Sequence, residues 1–129
     1  MIREIKLQTG AEALHDITHS VAEVVLESGV TAGSCLVYCP HTTAGITINE
    51  NADPDVVKDL LYGLRQAYPE SSHYRHAEGN SSAHLKASAI GSSVTIPIVD
   101  GRLLLGTWQA VFFCEFDGPR NRKYYVQVV

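Results

Sequence analysis

The chain has 129 residues, 45% of them hydrophobic and 19% charged, with ten Lys and Arg against fourteen Asp and Glu for a formal net charge of −4. Those proportions describe one domain, residues 1–129, able to bury a core without staples. They exclude a disordered chain and a nucleic-acid binder that draws its affinity from basic excess. No apolar run approaches the roughly 18 residues that span a bilayer. The opening Met1–Lys6 alternates charge with apolar side chains, so neither a signal nor a transit peptide is expected there. Cys35, Cys39 and Cys114 are too few for a complete disulfide framework, and are expected to be reduced thiols of a cytoplasmic protein.

Ile2 to Leu7 alternates as a strand does. Ile17, Val21, Val24, Val25 and Ser28 then fall at a 3.6-residue period, with Asp16 to cap the helix and Gly29 to stop it. Cys35, Val37 and Cys39 share one strand parity, which makes the two nearer thiols core residues rather than a metal knuckle, and Ile46 and Ile48 alternate in the next strand. Asp53-Pro54 opens a second helix, with Asp at the cap, Pro at the first helical position and a stripe of Val56, Val57, Leu60, Leu61 and Leu64. The polar stretch from Pro69 to Ser82 is long for a structureless connection, and such loops are usually functional or disordered. A third, short helix is predicted from near His84 to Gly91.

Val94, Ile96 and Ile98 run into Asp100-Gly101 and on to Leu103, a hairpin with a type I′ turn. Pro97 puts that strand at an edge or a bulge. Trp108 to Phe116 is apolar on both parities until Glu115, so the strand is expected to be buried on both faces. Trp108 itself is expected in the core, and Val111, Phe112 and Phe113 suit extra burial at a subunit contact. Asp117-Gly118-Pro119 turns the chain into a last strand, Lys123 to Val129. Strands outnumber helices and pair mostly by hairpins, which makes the class α+β with antiparallel sheet and two to three helices.

Four groups of polar residues resist a packing explanation. His41, Thr42 and Thr43 stand between two strands, as ligands, acid–base groups or turn residues. Asn49, Glu50 and Asp53 precede a helix N-terminus. Asp53 suits a cap, whereas Glu50 ends an inward strand parity and needs a cation or donor. His73, His76 and His84 surround the polar loop, and three imidazoles are a set that holds a zinc-like ion with an open position. Gln109 and Glu115 share a parity, with Arg120 and Arg122 available to pair with Glu115 or to grip a phosphate.

The string Pro40-His41-Thr42-Thr43-Ala44-Gly45-Ile46-Thr47-Ile48-Asn49-Glu50-Asn51-Ala52-Asp53-Pro54 resembles the signature of the YjbQ-like family. So do Tyr74-x-His76, Ala83-His84-Leu85-Lys86-Ala87-Ser88 and Gly106-Thr107-Trp108-Gln109 followed by Glu115, in the family's order from about residue 2 to residue 128. The resemblance implies a compact α+β fold of β-sandwich character, assembled as a homotrimer with a polar pocket at or near the subunit contacts. It also implies a family long catalogued as being of unknown function, to which a secondary thiamine-phosphate synthase activity has since been assigned. His41, His76 and His84 match the family's pocket histidines, and Thr42, Asn49, Glu50, Asp53, Gln109 and Glu115 its polar positions. His73 matches none, and His15 and His19 are expected on the first helix, in solvent.

The expected function is therefore a small-molecule enzyme that joins an aminopyrimidine pyrophosphate to a thiazole phosphate. His41, Glu50, Gln109 and Glu115 are the catalytic candidates. Thr42, Asn49, Asp53, Lys86, Arg120 and Arg122 are the candidates for substrate or phosphate contact. His41, His76 and His84 are the candidate ligands of a divalent ion, Zn or Mg. The alternatives are a metal-dependent hydrolase and a non-catalytic binder of an anionic metabolite. The expected partners are a phosphorylated small molecule and two further copies of the chain, with no nucleic acid and no membrane.

Overall fold

The alternating segments pair into two antiparallel sheets, and the periodic ones into three helices. The computed structural model describes residues 1–129. In chain order it has β1 Ile2–Gln8, β2 Ala13–Asp16, α1 Thr18–Ser28, β3 Ala32–Tyr38, β4 Ala44–Glu50, α2 Pro54–Ala67, α3 Ser81–Ile90, β5 Ser93–Val99, β6 Arg102–Leu103, β7 Gln109–Glu115 and β8 Asn121–Val128. One sheet has the order β1-β8-β3-β5-β6 and the other β2-β7-β4. No helix is long and apolar enough to cross a membrane.

The two sheets and α1 enclose the main core. Val21, Val24 and Val25 of α1 meet Ile46 of β4, Val111 and Phe113 of β7, and Tyr124, Val126 and Val128 of β8. A second, smaller core lies on the other face of the three-stranded sheet. There Ala110, Phe112, Cys114 and Phe116 pack on Ala83 and Ala87 of α3, with Val57 and Leu64 of α2. β7 therefore has a core on each side, which is why its apolar residues run without alternation. Val111, Phe112 and Phe113 are all buried inside the single chain, so no subunit contact is needed to cover them.

Local signals explain most boundaries. Asp16 accepts from the backbone N–H and hydroxyl of Thr18 at the start of α1, and Gly29 ends the helix at φ 70°. Asp53 caps α2 by accepting from the Asp55 N–H, with Pro54 at the first turn. Asp100 and Gly101 both have positive φ, 52° and 76°, as a type I′ hairpin demands. Pro97 faces Ser34 of β3 on one side, and the short β6 covers only Ile98 and Val99 on the other.

Several expectations need correction. β2 was not anticipated, because a four-residue strand carries too little alternation to read. It takes in His15, which therefore lies on a strand and accepts a 3.4 Å hydrogen bond from Gly10 N–H; His19 is in α1 and exposed, beside Glu23. α3 begins at Ser81, three residues before His84. The stripe of α2 is only half-buried, with no residue of that helix fully covered. Trp108 is not core: it is 61% exposed, because it sits in the turn before β7 and not on the strand.

β4 passes so close to the end of α3 that Ile46 N–H donates to the Gly91 carbonyl at 3.1 Å. A Cβ on Gly45 would lie 2.6 Å from that same carbonyl oxygen. Gly45→Ala is therefore expected to destabilise the fold by about 1–3 kcal/mol, seen as a lower midpoint in thermal denaturation.

Candidate functional site

Glu115, at the end of β7, is fully buried, and every lone-pair direction of its carboxylate is answered. Arg122 of β8 grips it through Nε at 2.7 Å and Nη2 at 2.6 Å. The Thr9 hydroxyl donates to one oxygen at 2.5 Å and the Asp117 N–H to the other at 3.0 Å. The Arg122 Nη2 also donates to the Thr43 hydroxyl at 2.8 Å. Burial alone pushes the Glu115 carboxyl up, but the hydrogen bonds from Arg122, Thr9 and Asp117 outweigh it and hold the group below its ordinary value. Of the two roles open to Arg122, the structure realises pairing with Glu115. Arg120 instead holds Asp117, through the backbone carbonyl at 2.7 Å and the carboxylate at 3.0 Å.

This ion pair clamps the segment that carries His41. The ring lies edge-on to Phe113, with centroids 6.4 Å apart, and its Nε2 is held by the Lys123 backbone, 3.0 Å from the N–H and 3.1 Å from the carbonyl oxygen, accepting from the first or donating to the second according to its tautomer. Burial, with the Arg122 charge next, keeps the His41 pKa below its ordinary value. His41 shares a cavity of about 440 Å³ with Thr42, His84, Ser88 and Ser92. His84 and Ser88 lie one helical turn apart on α3 and so face the same way. His76 stacks edge-on against His84, with centroids 5.4 Å apart. His73 is exposed, in the same loop as His76. A larger cavity, about 520 Å³, lies on the other side of His41 and is lined by Lys6, Gln8, Asn121, Arg122 and Lys123 among others.

The remaining candidates are elsewhere. Along the β4–β7 register Glu115 faces Ala44, whereas Gln109 faces Glu50. Six residues of extended strand, about 20 Å, separate Gln109 from Glu115. Shared parity put the two on one face without bringing them together. The Gln109 amide oxygen accepts from Gly106 N–H, the Asn49 side chain from Glu50 N–H, and Asp53 serves its helix cap. Lys86 is buried, and its ammonium pairs with Glu12 at 2.7 Å. Glu12 also holds Arg65 at 2.7 Å, a bridge between α2 and α3 that the sequence did not disclose, since Glu12 lies in a short loop with no motif around it.

No group of three or more His, Cys, Asp or Glu side chains is placed to hold a metal ion, and His41 has its Nε2 engaged by Lys123. The thiols are no nucleophiles either. All three are buried and free, and burial pushes Cys35 up to about 11 and Cys114 up to about 12, well away from the thiolate range.

A two-sheet α+β domain with a histidine-lined cavity beside a buried Glu–Arg clamp defines the class. Residues 3–129 match the family described as UPF0047 protein YjbQ-like, and the chain belongs to that family. It is 50% identical to the UPF0047 protein YugU of Bacillus subtilis, across all of this chain and 99% of that one. It is 52% identical to the UPF0047 protein MJ1081 of Methanocaldococcus jannaschii, across 92% of this chain and 86% of that one. Among solved structures, an uncharacterized conserved protein of the same family from Clostridium acetobutylicum superposes with a TM-score of 0.96 at 54% identity, covering 98% and 99% of the two chains. A protein from Sulfolobus solfataricus, described as YbjQ-like and of unknown function, gives 0.95 at 33% identity, covering 99% and 95%.

Removing the Glu115 charge leaves a buried guanidinium without its anion, so Glu115→Gln is expected to cost about 3–5 kcal/mol in denaturant unfolding. The folded carboxyl titrates below its ordinary 4.5, so its contribution to stability is complete above that value. It is lost as pH falls through the lower, folded value. An acid-unfolding curve is expected to flatten below pH 4.5 in the variant relative to the native chain.

Proposed function

We propose that the chain acts on a small phosphorylated molecule at the His41–His84 cavity, as a transferase of the thiamine-phosphate synthase type. The observation that carries this reading is the meeting of two imidazoles with the hydroxyls of Thr42, Ser88 and Ser92 in one cavity. In such a reaction the thiazole nitrogen attacks the methylene carbon of the aminopyrimidine, and the carbon–oxygen bond to the diphosphate breaks. The diphosphate leaves with the electron pair. Little covalent help is needed; alignment of the two rings and hydrogen-bond donors aimed at the departing oxygens supply the rate. The His41 and His84 rings and the three hydroxyls are the donors available for that role. No step is routed through a metal, for want of a ligand set.

Glu50 and Gln109 belong to this site only if another copy of the chain supplies them. Trp108 and Leu104 stand 61% and 58% exposed in the segment leading to Gln109, and the α2 stripe is half-covered. Both favour the homotrimer that the family resemblance implies. A second reading, a binder without turnover, is favoured by one observation. The carboxylates nearest the histidine segment, Glu115 and Asp117, are both engaged by arginines, so one chain offers no free acid–base carboxylate there.

His41→Ala and His84→Ala proteins that remain folded are each expected to lose about 100-fold or more in turnover of the two phosphorylated substrates, with the native rate unaffected by a chelator. Unchanged turnover in both removes the site. Binding of either substrate with no product formed favours the binder. Sedimentation is expected to give about three times the 14.1 kDa mass of the chain, and a monomer would separate Glu50 from the site.

A further inference from the structure

The cations that sequence reasoning assigned to phosphate are all engaged: Lys86 by Glu12, Arg120 by Asp117 and Arg122 by Glu115. The larger cavity beside His41 adds Lys6 and Lys123 to the already engaged Arg122. Lys6, Lys123 and Arg122 line it with Gln8, Asn121 and His41, and no carboxylate does, in a chain whose formal net charge is −4. Its volume of about 520 Å³ is that of a small-molecule site.

Two of these residues contradict good sheet chemistry. Lys6 of β1 and Lys123 of β8 stand directly opposite each other in the antiparallel register, and both are exposed. Facing residues of such a pair project to the same side, and like charges there repel. The neighbouring pair is Gln8 and Asn121, so two cations and two amides are set side by side. Glu4 relieves the lysines only in part. Its carboxylate is 3.5 Å from the Lys123 ammonium and accepts from the Tyr125 hydroxyl, but it does not line the cavity. Lys6 makes no ion pair within 4 Å. An anion between the two ammonium groups converts the repulsion into attraction.

We infer that the Lys6–Lys123 cavity is an anion subsite for a phosphate or diphosphate group of a small molecule that extends into the neighbouring His41–His84 cavity. This deepens the function proposed above and rests on it only for the second half of the ligand. His41 lines both cavities, and its backbone partner Lys123 belongs to the anion side. The arrangement selects a molecule with a compact polyanion at one end. Ligands with distributed charge, such as nucleic acid, are not suited to a pocket flanked by a protein of net negative charge.

The test uses inorganic pyrophosphate as the probe, titrated calorimetrically into the full chain at low and at physiological salt. The native protein is expected to bind it, and the Lys6→Gln/Lys123→Gln double variant to bind at least 10-fold more weakly and with a flatter dependence on salt. Lys58→Gln, a change in α2 beside Asp55, is expected to bind as the native chain does. Since the lysines repel each other, the double variant is expected to melt within a few degrees of native. No binding at millimolar pyrophosphate, an unchanged affinity in the double variant, or a collapse of its stability would each overturn the inference. Lysine-dependent binding in a chain that turns nothing over leaves the anion subsite standing, and only the transferase reading falls.

Discussion

The Glu115–Arg122 pair is the constraint on which the rest of this end of the molecule depends. It joins β7 of the small sheet to β8 of the large one inside the protein, where a lone charge of either sign would be very costly. Thr9, Thr43 and the Asp117 N–H complete its hydrogen bonding, so four separate stretches of chain are tied to one point. A carboxylate held in this way has no free lone pair for a substrate. What it fixes is where the segments around it lie, chief among them the one carrying His41.

Seen from that clamp, the polar residues divide into a structural set and an available set. Glu12, Lys86 and Arg65 fasten α2 and α3 to the loop before β2, and Asp16 and Asn51 tie β2 to the loop after β4. The two largest of the cavities both touch His41, one with hydroxyls and His84, the other with Lys6 and Lys123. Glu50 and Gln109 lie at the far end of the β4–β7 ladder. The fold of one chain does not bring them to His41.

The parts of the fold that were legible in the sequence are those written in local chemistry. The Asp53-Pro54 cap, the Asp100-Gly101 turn and the two-sided burial of β7 all follow from residues a few positions apart. β2 and the first turn of α3 were not legible, since neither has a period or a cap to announce it. For the site, motif resemblance singled out His41, His76 and His84, and the structure puts His84 in a cavity with His41 and against the ring of His76. The roles of the charges were beyond local reading. Which arginine pairs with Glu115, that Lys86 meets Glu12, and that Lys6 faces Lys123 are set by how whole elements are placed against one another, which no local pattern records. Parity likewise said that Gln109 and Glu115 share a face, but not that a strand's length lies between them.

The central claim is that His41 forms a wall common to an anion-binding cavity and a histidine-lined one. Its most direct test is nuclear magnetic resonance of the imidazole nitrogens and backbone amides during a titration with inorganic pyrophosphate. The account predicts saturable shifts of the His41 ring and of the Lys123 amide beside its Nε2, following a single affinity. A folded protein in which pyrophosphate leaves both signals unmoved, or moves only residues remote from β1 and β8, would contradict it.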